Sequence, residues 1–189
     1  MNASFLAEKF AAALPYSHYV RTGTEEQQRR WRQVYDAAQL AAEQWKLLAQ
    51  FTRDMRVLIV SGIWCGDCVQ QCPLLERCAE GNRERIELRL LDRDEHRDLS
   101  GLLRINGGDR VPVVLFLAED FELCSIVGDR TLSRYRALAA KQLGAACPLA
   151  IVPPPRDELA ATLQDWLNEF ERIQLLLRLS ARLRQKHGD

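Results

Sequence analysis

The chain has 189 residues and a mass of 21.6 kDa, enough for one domain with an appendage and for a core without metal or disulfide staples. Its 26 basic residues balance its 26 acidic residues, so the positive excess of a nucleic-acid-binding protein is missing. Six cysteines are too few for a disulfide scaffold. With neither a transmembrane-length apolar run nor a secretory signal pattern, we expect a cytoplasmic protein that contacts no membrane.

The first part of the sequence predicts helices. A helix over residues 3–14 is expected to end before Pro15, and residues 15–23 predict a loop. Thr24 and Gln27 form a capping box. After it, apolar residues recur every three or four positions, and neither glycine nor proline interrupts the chain before the first strand. We therefore expect residues 1–54 to form an N-terminal helical extension.

Strand and helix patterns alternate in the middle of the chain. Apolar runs predict strands over residues 57–60, 86–92, 111–117 and 121–127. The segments after the first, second and fourth strands have helical patterns that extend to about residue 79, over 95–105 and over 131–143. This order predicts an α/β domain over residues 55–144, whose mixed sheet has one parallel crossover and a terminal hairpin.

Residues 145–189 predict a linker, extended at its prolines, and then one long helix from about residue 157 to 185. Apolar residues follow each other along this helix at steps of four and three: Leu159, Leu163, Trp166, Phe170, Ile173 and Leu177. The pattern covers fewer heptads than a coiled coil usually needs. Packing on the N-terminal helices or the sheet is favoured over a homodimer formed through this helix.

The motif Cys65-Gly66-Asp67-Cys68 lies between a predicted strand and a predicted helix. Two cysteines at this spacing in a first helical turn can reach disulfide distance. Because a helix N-terminus favours an anion, we expect a lowered pKa for Cys65, which makes it the nucleophile. Cys68, one turn further in, would resolve a mixed disulfide. Gly66 lets another backbone approach, and Trp64 is expected to shield one side of the dithiol.

The segment Trp64-Cys65-Gly66-Asp67-Cys68 after a buried strand, with Val111-Pro112 before a later strand, resembles the thioredoxin superfamily. The resemblance covers about residues 55–144 and implies a thioredoxin-like fold, here with extra helices at both ends. It implies that Pro112 is cis and lies against the dithiol, and that the neighbouring backbone at Val111 pairs with the substrate chain. Arg110, in the same loop, is a further candidate for substrate contact.

Two positions depart from the family pattern. Thioredoxins have proline where this chain has Asp67, and they bury an acid six residues before the nucleophile, where this chain has Ile59. Another group or a water takes the proton of the second cysteine, or the dithiol reacts more slowly. Asp67 is itself a candidate acceptor, although adjacent helix residues do not face each other. Its carboxylate is also expected to raise the pKa of Cys65, which favours a reductant.

The remaining cysteines and histidines give weaker patterns. Cys72 follows Cys68 by one helical turn and is either a core residue, which is favoured, or a third redox thiol. A metal site at Cys65, Cys68 and Cys72 has no fourth ligand close in sequence, so no metal is expected. The other cysteines, Cys78, Cys124 and Cys147, and the isolated histidines, His18, His96 and His187, suggest no site.

Together these residues and the resemblance imply a thiol–disulfide oxidoreductase that reduces disulfide-containing proteins through Cys65 and Cys68. Its redox-active disulfide would replace a bound cofactor, and its electrons would come from a reductase or a small thiol. The alternative is a redox-sensing or partner-binding module whose dithiol is a switch, which Ile59 and the additional helices favour. An inactive scaffold is disfavoured because both cysteines and Pro112 are present.

Overall fold

The computed structural model describes residues 1–143 and 155–189. Most of the predicted linker, together with Cys147, lies outside these residues. The described strands form one sheet in the order β1-β3-β2-β4-β5. They are β1 (Leu14–Pro15), β2 (Met55–Ser61), β3 (Ile86–Asp92), β4 (Val113–Ala118) and β5 (Leu123–Gly128).

The strand directions confirm the predicted mixed sheet. β2 runs parallel to β3 and antiparallel to β4, and β4 forms the hairpin with β5. The short strand β1, which the sequence did not predict, pairs antiparallel with β3 at one edge. β2 is therefore central, and almost all of its side chains are buried.

Helices surround this sheet. The described residues form α1 (Ala3–Ala12), α2 (Tyr16–Arg21), α3 (Glu25–Ala37), α4 (Ala42–Ala49), α5 (Gly66–Glu80), α6 (Arg97–Ser100), α7 (Leu132–Leu143), α8 (Glu158–Leu179) and α9 (Ala181–His187). Within the described residues, each helix is too short or too polar to cross a membrane.

The N-terminal region differs from the prediction in two respects. The predicted loop contains α2 and the end of β1 instead. The capping box at Thr24 and Gln27 is present, but the helix that it starts is interrupted between α3 and α4. Ala38 adopts extended backbone, and the Gln44 side chain accepts a hydrogen bond from the Ala41 amide at 2.8 Å. Because this bond satisfies a free amide, α4 can begin without a glycine or proline signal.

Two further helices are shorter than predicted. The helix expected over residues 95–105 is limited to α6, and the chain then turns between Ile105 and Gly108, which exchange two backbone hydrogen bonds of 3.0 Å. Asn106 and Gly107 in this turn have φ values of 48° and 72°, a left-handed conformation that suits these two residue types. The long C-terminal helix stops at Leu179, and Ser180 caps the separate helix α9.

The C-terminal helix α8 packs on the core, as favoured by the sequence. Most of its predicted apolar seam is buried: Leu163, Trp166, Phe170, Ile173 and Leu177. Its neighbours are α5, α7 and the sheet, where Phe170 meets Phe116 of β4 edge to face with ring centroids 5.3 Å apart. The Gln174 side chain accepts hydrogen bonds from the amides of Thr52 and Arg53 just before β2. α8 is thus fastened to the strand that leads to the dithiol.

Candidate active site

The dithiol lies between the end of β2 and the start of α5. Cys65 is the N-cap of α5, with φ −78° and ψ 126°, and Cys68 completes the first turn. Cys65 is half-buried, whereas Cys68 is fully buried. Both are free thiols, so the structure represents the reduced form. Of the two sulfur atoms, that of Cys65 is therefore the more accessible, and the order of attack stays a prediction.

The loop before β4 lies against Cys65. The Val111–Pro112 peptide bond is cis, and the Val111 carbonyl accepts a hydrogen bond from Cys65 Sγ at 3.6 Å. Gly128 supports this loop from behind, because a Cβ at that position would lie 2.7 Å from the Pro112 carbonyl oxygen. The structure therefore brings Cys65 together with Val111 and Pro112, which follow it by more than forty residues in the sequence.

The two thiols influence each other's pKa. The hydrogen bond with Cys68 and partial burial raise the pKa of Cys65, and the backbone amides of Cys68 and Asp67 lower it. Burial raises the pKa of Cys68 well above its usual value, and hydrogen bonding from Cys65 and Ser61 lowers it. The lowered pKa that the helix terminus predicts for Cys65 is therefore wrong for the pair of free thiols: its pKa is raised, chiefly by the hydrogen bond with Cys68.

Asp67 forms ion pairs with two arginines that the sequence analysis missed. Its carboxylate lies 2.5 Å from Arg130 and 3.4 Å from Arg134. Arg134 also binds Glu158 in the first turn of α8 at 2.5 Å. These guanidinium groups counter the negative charge, and Asp67 acts on Cys65 through its backbone amide, which lowers the pKa of that thiol. The expected effect of the Asp67 carboxylate on Cys65 stays a prediction, and this network opposes it.

Gln71 is a third residue near the site that the sequence analysis missed. It is fully buried on α5. Its side-chain amide donates a hydrogen bond to the Asp129 carbonyl at 2.8 Å and accepts one from the Thr131 amide at 3.2 Å. These bonds join the active-site helix to the turn between β5 and α7. In the sequence, the only indication of this role is that Gln71, a polar residue, falls on the apolar face of a predicted helix.

The outer surface of the site contains the remaining predicted residues. Trp64 has 47% of its surface exposed, and the Arg93 guanidinium lies 4.8 Å from its ring centroid. Gly66 faces open space, since a Cβ there would meet no atom within 4 Å. Arg110 is paired with Asp129 at 3.0 Å. Another chain could therefore approach Cys65 over Gly66, with Trp64 beside it.

Comparison with known proteins agrees with this geometry. The family model described as Thioredoxin matches residues 13–136, which is more than half of the chain. The chain belongs to the thioredoxin family. A comparison with curated proteins gives no match.

Solved structures extend the likeness to most of the chain. A protein of unknown function from Pseudomonas aeruginosa is 24% identical, with a TM-score of 0.66, over 88% of this chain and 97% of its own. An HIV epitope scaffold is 20% identical, with a TM-score of 0.65, over the same shares. Mitochondrial thioredoxin 3 from Saccharomyces cerevisiae, in its oxidized form, is 19% identical over 50% of this chain and 86% of its own, with a TM-score of 0.33. At these identities the first two likenesses show the fold.

In this thioredoxin-family chain, the family's buried-acid position is filled by an apolar side chain, as the sequence showed. Ile59 is fully buried in β2. Cys72 is also fully buried, with its Sγ 3.7 Å from the Ser61 hydroxyl oxygen, which agrees with its favoured interpretation as a core residue. In residues 1–143 and 155–189, no three His, Cys, Asp or Glu side chains are arranged to hold a metal ion.

The N-terminal helices contact the active-site segment directly. Trp31 on α3 is fully buried, and its indole N–H donates a hydrogen bond to the Ile63 carbonyl at 3.0 Å. Gly23 lies so close to Ile63 that a Cβ would approach its side chain to 2.6 Å. The residues just before Trp64 and Cys65 are therefore held by a part of the chain that the resemblance alone did not include.

Proposed function

We propose that this chain is a thiol–disulfide oxidoreductase that reduces disulfides in proteins. The observation that supports this most is the arrangement of Cys65. Its half-buried thiol lies at the start of α5 and within 3.6 Å of the Val111 carbonyl, with the buried thiol of Cys68 one turn behind it. An accessible nucleophile backed by a protected second thiol suits a two-step exchange.

The reaction requires only the two cysteines and a substrate disulfide. The Cys65 thiolate attacks one substrate sulfur, the substrate disulfide breaks, and the first substrate thiol leaves. Cys68 then attacks Cys65 Sγ, which releases the second substrate thiol and forms the Cys65–Cys68 disulfide. Exchange with a reductase or a small thiol, as expected in a reducing cytoplasm, returns two electrons to the pair. In this scheme the redox-active disulfide takes the place of a bound cofactor.

The reduction potential of the pair tests the direction of the reaction. We would equilibrate the protein with dithiothreitol or glutathione mixtures and locate each oxidised cysteine by alkylation and mass mapping. A potential of about −270 mV indicates a reductant, whereas one of about −120 to −180 mV indicates an oxidant or isomerase. If no Cys65–Cys68 disulfide forms at any potential, the proposed activity is wrong.

Cysteine variants test the order of the two steps. Cys65→Ser is expected to abolish reduction of a generic protein disulfide, because the exposed nucleophile is lost. Cys68→Ser is expected to accumulate a mixed disulfide on Cys65, seen as an added mass. Cys78→Ser is the matched control, since Cys78 is fully buried and takes no part in the scheme. Equal turnover by all three variants would contradict the assignment.

A redox switch is the second candidate function. It is favoured by the ion pairs that link Asp67 in the active-site turn through Arg134 to Glu158 of α8, since oxidation near Asp67 could reach the C-terminal helix along them. Turnover distinguishes the two functions. An enzyme reduces many equivalents of substrate, whereas a switch reacts once and changes the protease sensitivity of α8.

A further inference from the structure

The resolving step needs a charged Cys68 in a place without a carboxylate. Cys68 is fully buried, and burial disfavours a thiolate. None of the carboxylates in the described part of the chain forms a hydrogen bond to this cysteine, and the Asp67 carboxylate is bound to arginines. The side chain at the family's acid position, Ile59, is apolar. Some other group must therefore stabilise the charge that develops on Cys68.

Ser61 is the polar side chain placed to do this. Residues two apart on a strand share a face, so Ser61 lies on the same face of β2 as Ile59, two residues nearer the dithiol. It is fully buried. Its hydroxyl oxygen lies 3.7 Å from Cys72 Sγ, a contact in which either group can donate, and Cys72 follows Cys68 by one helical turn on α5. The Ser61 carbonyl accepts a 2.8 Å hydrogen bond from the Arg93 amide, which fixes the backbone at this point.

The groups around Cys68 have opposing effects. Burial and the neighbouring Cys72 raise the pKa of Cys68, whereas hydrogen bonds from Cys65 and Ser61 lower it. Once Cys65 is bound to a substrate in a mixed disulfide, it has no thiol proton to donate. Tyr19 on α2 is buried close by; burial raises the pKa of its hydroxyl, and a hydrogen bond with Ser61 lowers it. Of the two side chains that lower the pKa of Cys68, only Ser61 then still has a proton to donate, and its hydroxyl lies one helical turn away, beside Cys72 Sγ.

We propose that Ser61 is the positioning residue of the resolving step, with its hydroxyl donating a hydrogen bond to Cys68 Sγ as the thiolate forms. This inference rests on the proposed function. A serine hydroxyl keeps its own proton, so Ser61 stabilises charge rather than acting as a base. Cys68 attacks Cys65 Sγ, the bond from Cys65 to the substrate breaks, and the proton lost by Cys68 ends on the released thiol. Cys72 holds the hydroxyl in place before the thiolate appears.

The resolving step can be followed with dithionitrobenzoate. In a chain with Cys124→Ser and Cys147→Ser, Cys65 reacts with the reagent first and forms a mixed disulfide. The attack of Cys68 then releases a second nitrothiophenolate, whose absorbance gives the rate at each pH. The same chain with Cys68→Ser gives the blank. Appearance of the second release in the unsubstituted Ser61 background tests the proposed function, independently of Ser61.

Variants at Ser61 test the further inference. Because a hydrogen bond to a charged group stabilises it strongly, Ser61→Ala should slow the second release by about ten- to a hundredfold at neutral pH. The increase of this rate with pH should also move to higher pH. The first release, from Cys65, should keep its rate. Ser61→Thr retains the hydroxyl and should retain most of the resolving rate. Cys72→Ala keeps the donor and should slow resolution less than Ser61→Ala.

Three results would overturn the inference. The first is a second release by Ser61→Ala at the original rate and with the original pH profile. The second is equal slowing by Ser61→Thr and Ser61→Ala, which would show that packing rather than the hydroxyl matters. The third is a Cys68–Cys72 disulfide in the mass map, which would make Cys72 a redox partner. Thermal unfolding of each variant checks that it is folded. If Ser61→Ala does not fold, the resolving rate of Ser61→Thr still tests the inference.

Discussion

The charge beside the dithiol is set by a group of side chains rather than by Asp67 alone. Arg130 and Arg134 bind the Asp67 carboxylate, and both arginines come from the turn and helix that follow β5. Each is partly buried, with about a fifth of its side chain exposed, so solvent screens these pairs less than pairs on the open surface. The Asp67 carboxylate, two residues after Cys65, is therefore largely neutralised by these two cations.

This arrangement gives a prediction for Asp67→Asn. Removal of the carboxylate takes one negative charge from the turn that holds Cys65, while Arg130 keeps its pair with Asp129 and Arg134 its pair with Glu158. A more positive surrounding favours a thiolate. We expect the pKa of Cys65 to fall by about half a unit to one unit, consistent with charge effects at a partly exposed site. Thiolate absorbance during a pH titration measures it in a Cys68→Ser background, where the second thiol no longer contributes.

Two comparisons make this test specific. Adding Arg130→Gln to Asp67→Asn should return the pKa of Cys65 toward its starting value, because one positive charge is removed. Asp157→Asn, at the N-cap of α8, is the matched control for loss of a carboxylate elsewhere. An unchanged pKa in Asp67→Asn would show that the arginines do not act on Cys65.

Single residues could be predicted where their role depends on neighbours in sequence. The spacing of Cys65 and Cys68, the strand before them and the helix after them were sufficient to locate the dithiol, and the resemblance supplied Pro112. Arg130, Arg134 and Gln71 could not be located in this way. Their partners lie about sixty residues away, and no local pattern specifies which arginine will reach a given carboxylate.

At the level of elements, α5 carries the dithiol in its first turn and a buried carboxylate, Glu76, in its second half. Glu76 on α5 is 6% exposed. One of its oxygens binds Arg83 at 2.6 Å, and the other is buried without a hydrogen-bond partner in the described structure. Burial raises the pKa of Glu76 above its usual value of 4.5, although Arg83 lowers it in part. This carboxylate is therefore a cost to folding when it is ionised.

The sign of the resulting pH dependence follows from proton binding. A raised pKa in the folded state means that the folded chain holds this proton more tightly than the unfolded chain. The contribution of Glu76 to stability is therefore greatest below pH 4.5 and is lost as pH rises through the folded-state pKa. Glu76→Gln removes the charge while keeping the shape, so at neutral pH we expect the free energy of unfolding to rise by about 1 kcal/mol.

Urea unfolding at a series of pH values measures this effect. The advantage of Glu76→Gln should shrink as pH falls toward 4.5. Glu43→Gln is the control, because Glu43 is 82% exposed on α4 and its change should stay within about 0.5 kcal/mol. A loss of stability in Glu76→Gln at neutral pH would show that the ion pair with Arg83 outweighs the cost of burial.

The packing of α8 gives a second prediction at this level. Phe170 is fully buried against Phe116, and removal of a buried aromatic ring leaves a cavity. Phe170→Ala should lower the free energy of unfolding by about 3–5 kcal/mol. Leu179→Ala at the end of the same helix, where the side chain is 77% exposed, should change it by less than about 0.5 kcal/mol. Equal effects in urea unfolding would mean that α8 is not part of the core.

Elements were predictable to the extent that their signals are local. Hydrophobic runs located β2 to β5, and their order indicated the mixed sheet. The break between α3 and α4 escaped prediction because a glutamine side chain, rather than glycine or proline, satisfies the new helix start. β1 escaped it because two residues that pair with β3 carry no periodicity of their own.

At the scale of the whole molecule, helices from both ends of the chain complete the thioredoxin-family core. α3 and α8 both pack on α5, so the active-site helix lies between the sheet and the two additional segments. Trp31 reaches the Ile63 carbonyl from one side. Glu158 reaches Arg134, and through it Asp67, from another. These segments are therefore coupled to the site by direct contacts as well as by burial.

This arrangement also argues against a homodimer formed through the heptad-like apolar seam of α8, which the sequence left as an alternative. The seam residues of α8 are buried within the same chain, so they are not available to a second copy without unfolding this helix from the core. Exposed leucines remain on another face of α8 at Leu175, Leu176 and Leu179, but their neighbours on that face include the charged Arg172 and Arg178.

We expect a monomer, and sedimentation equilibrium of the reduced and oxidised protein should give a mass of 21.6 kDa in both states. A mass twice as large that returns to the monomer value in Leu175→Glu would place a dimer interface on the exposed face instead. A dimer insensitive to that substitution but abolished by Phe170→Ala would mean that the seam itself is exchanged between copies, contrary to the packing of α8 described above.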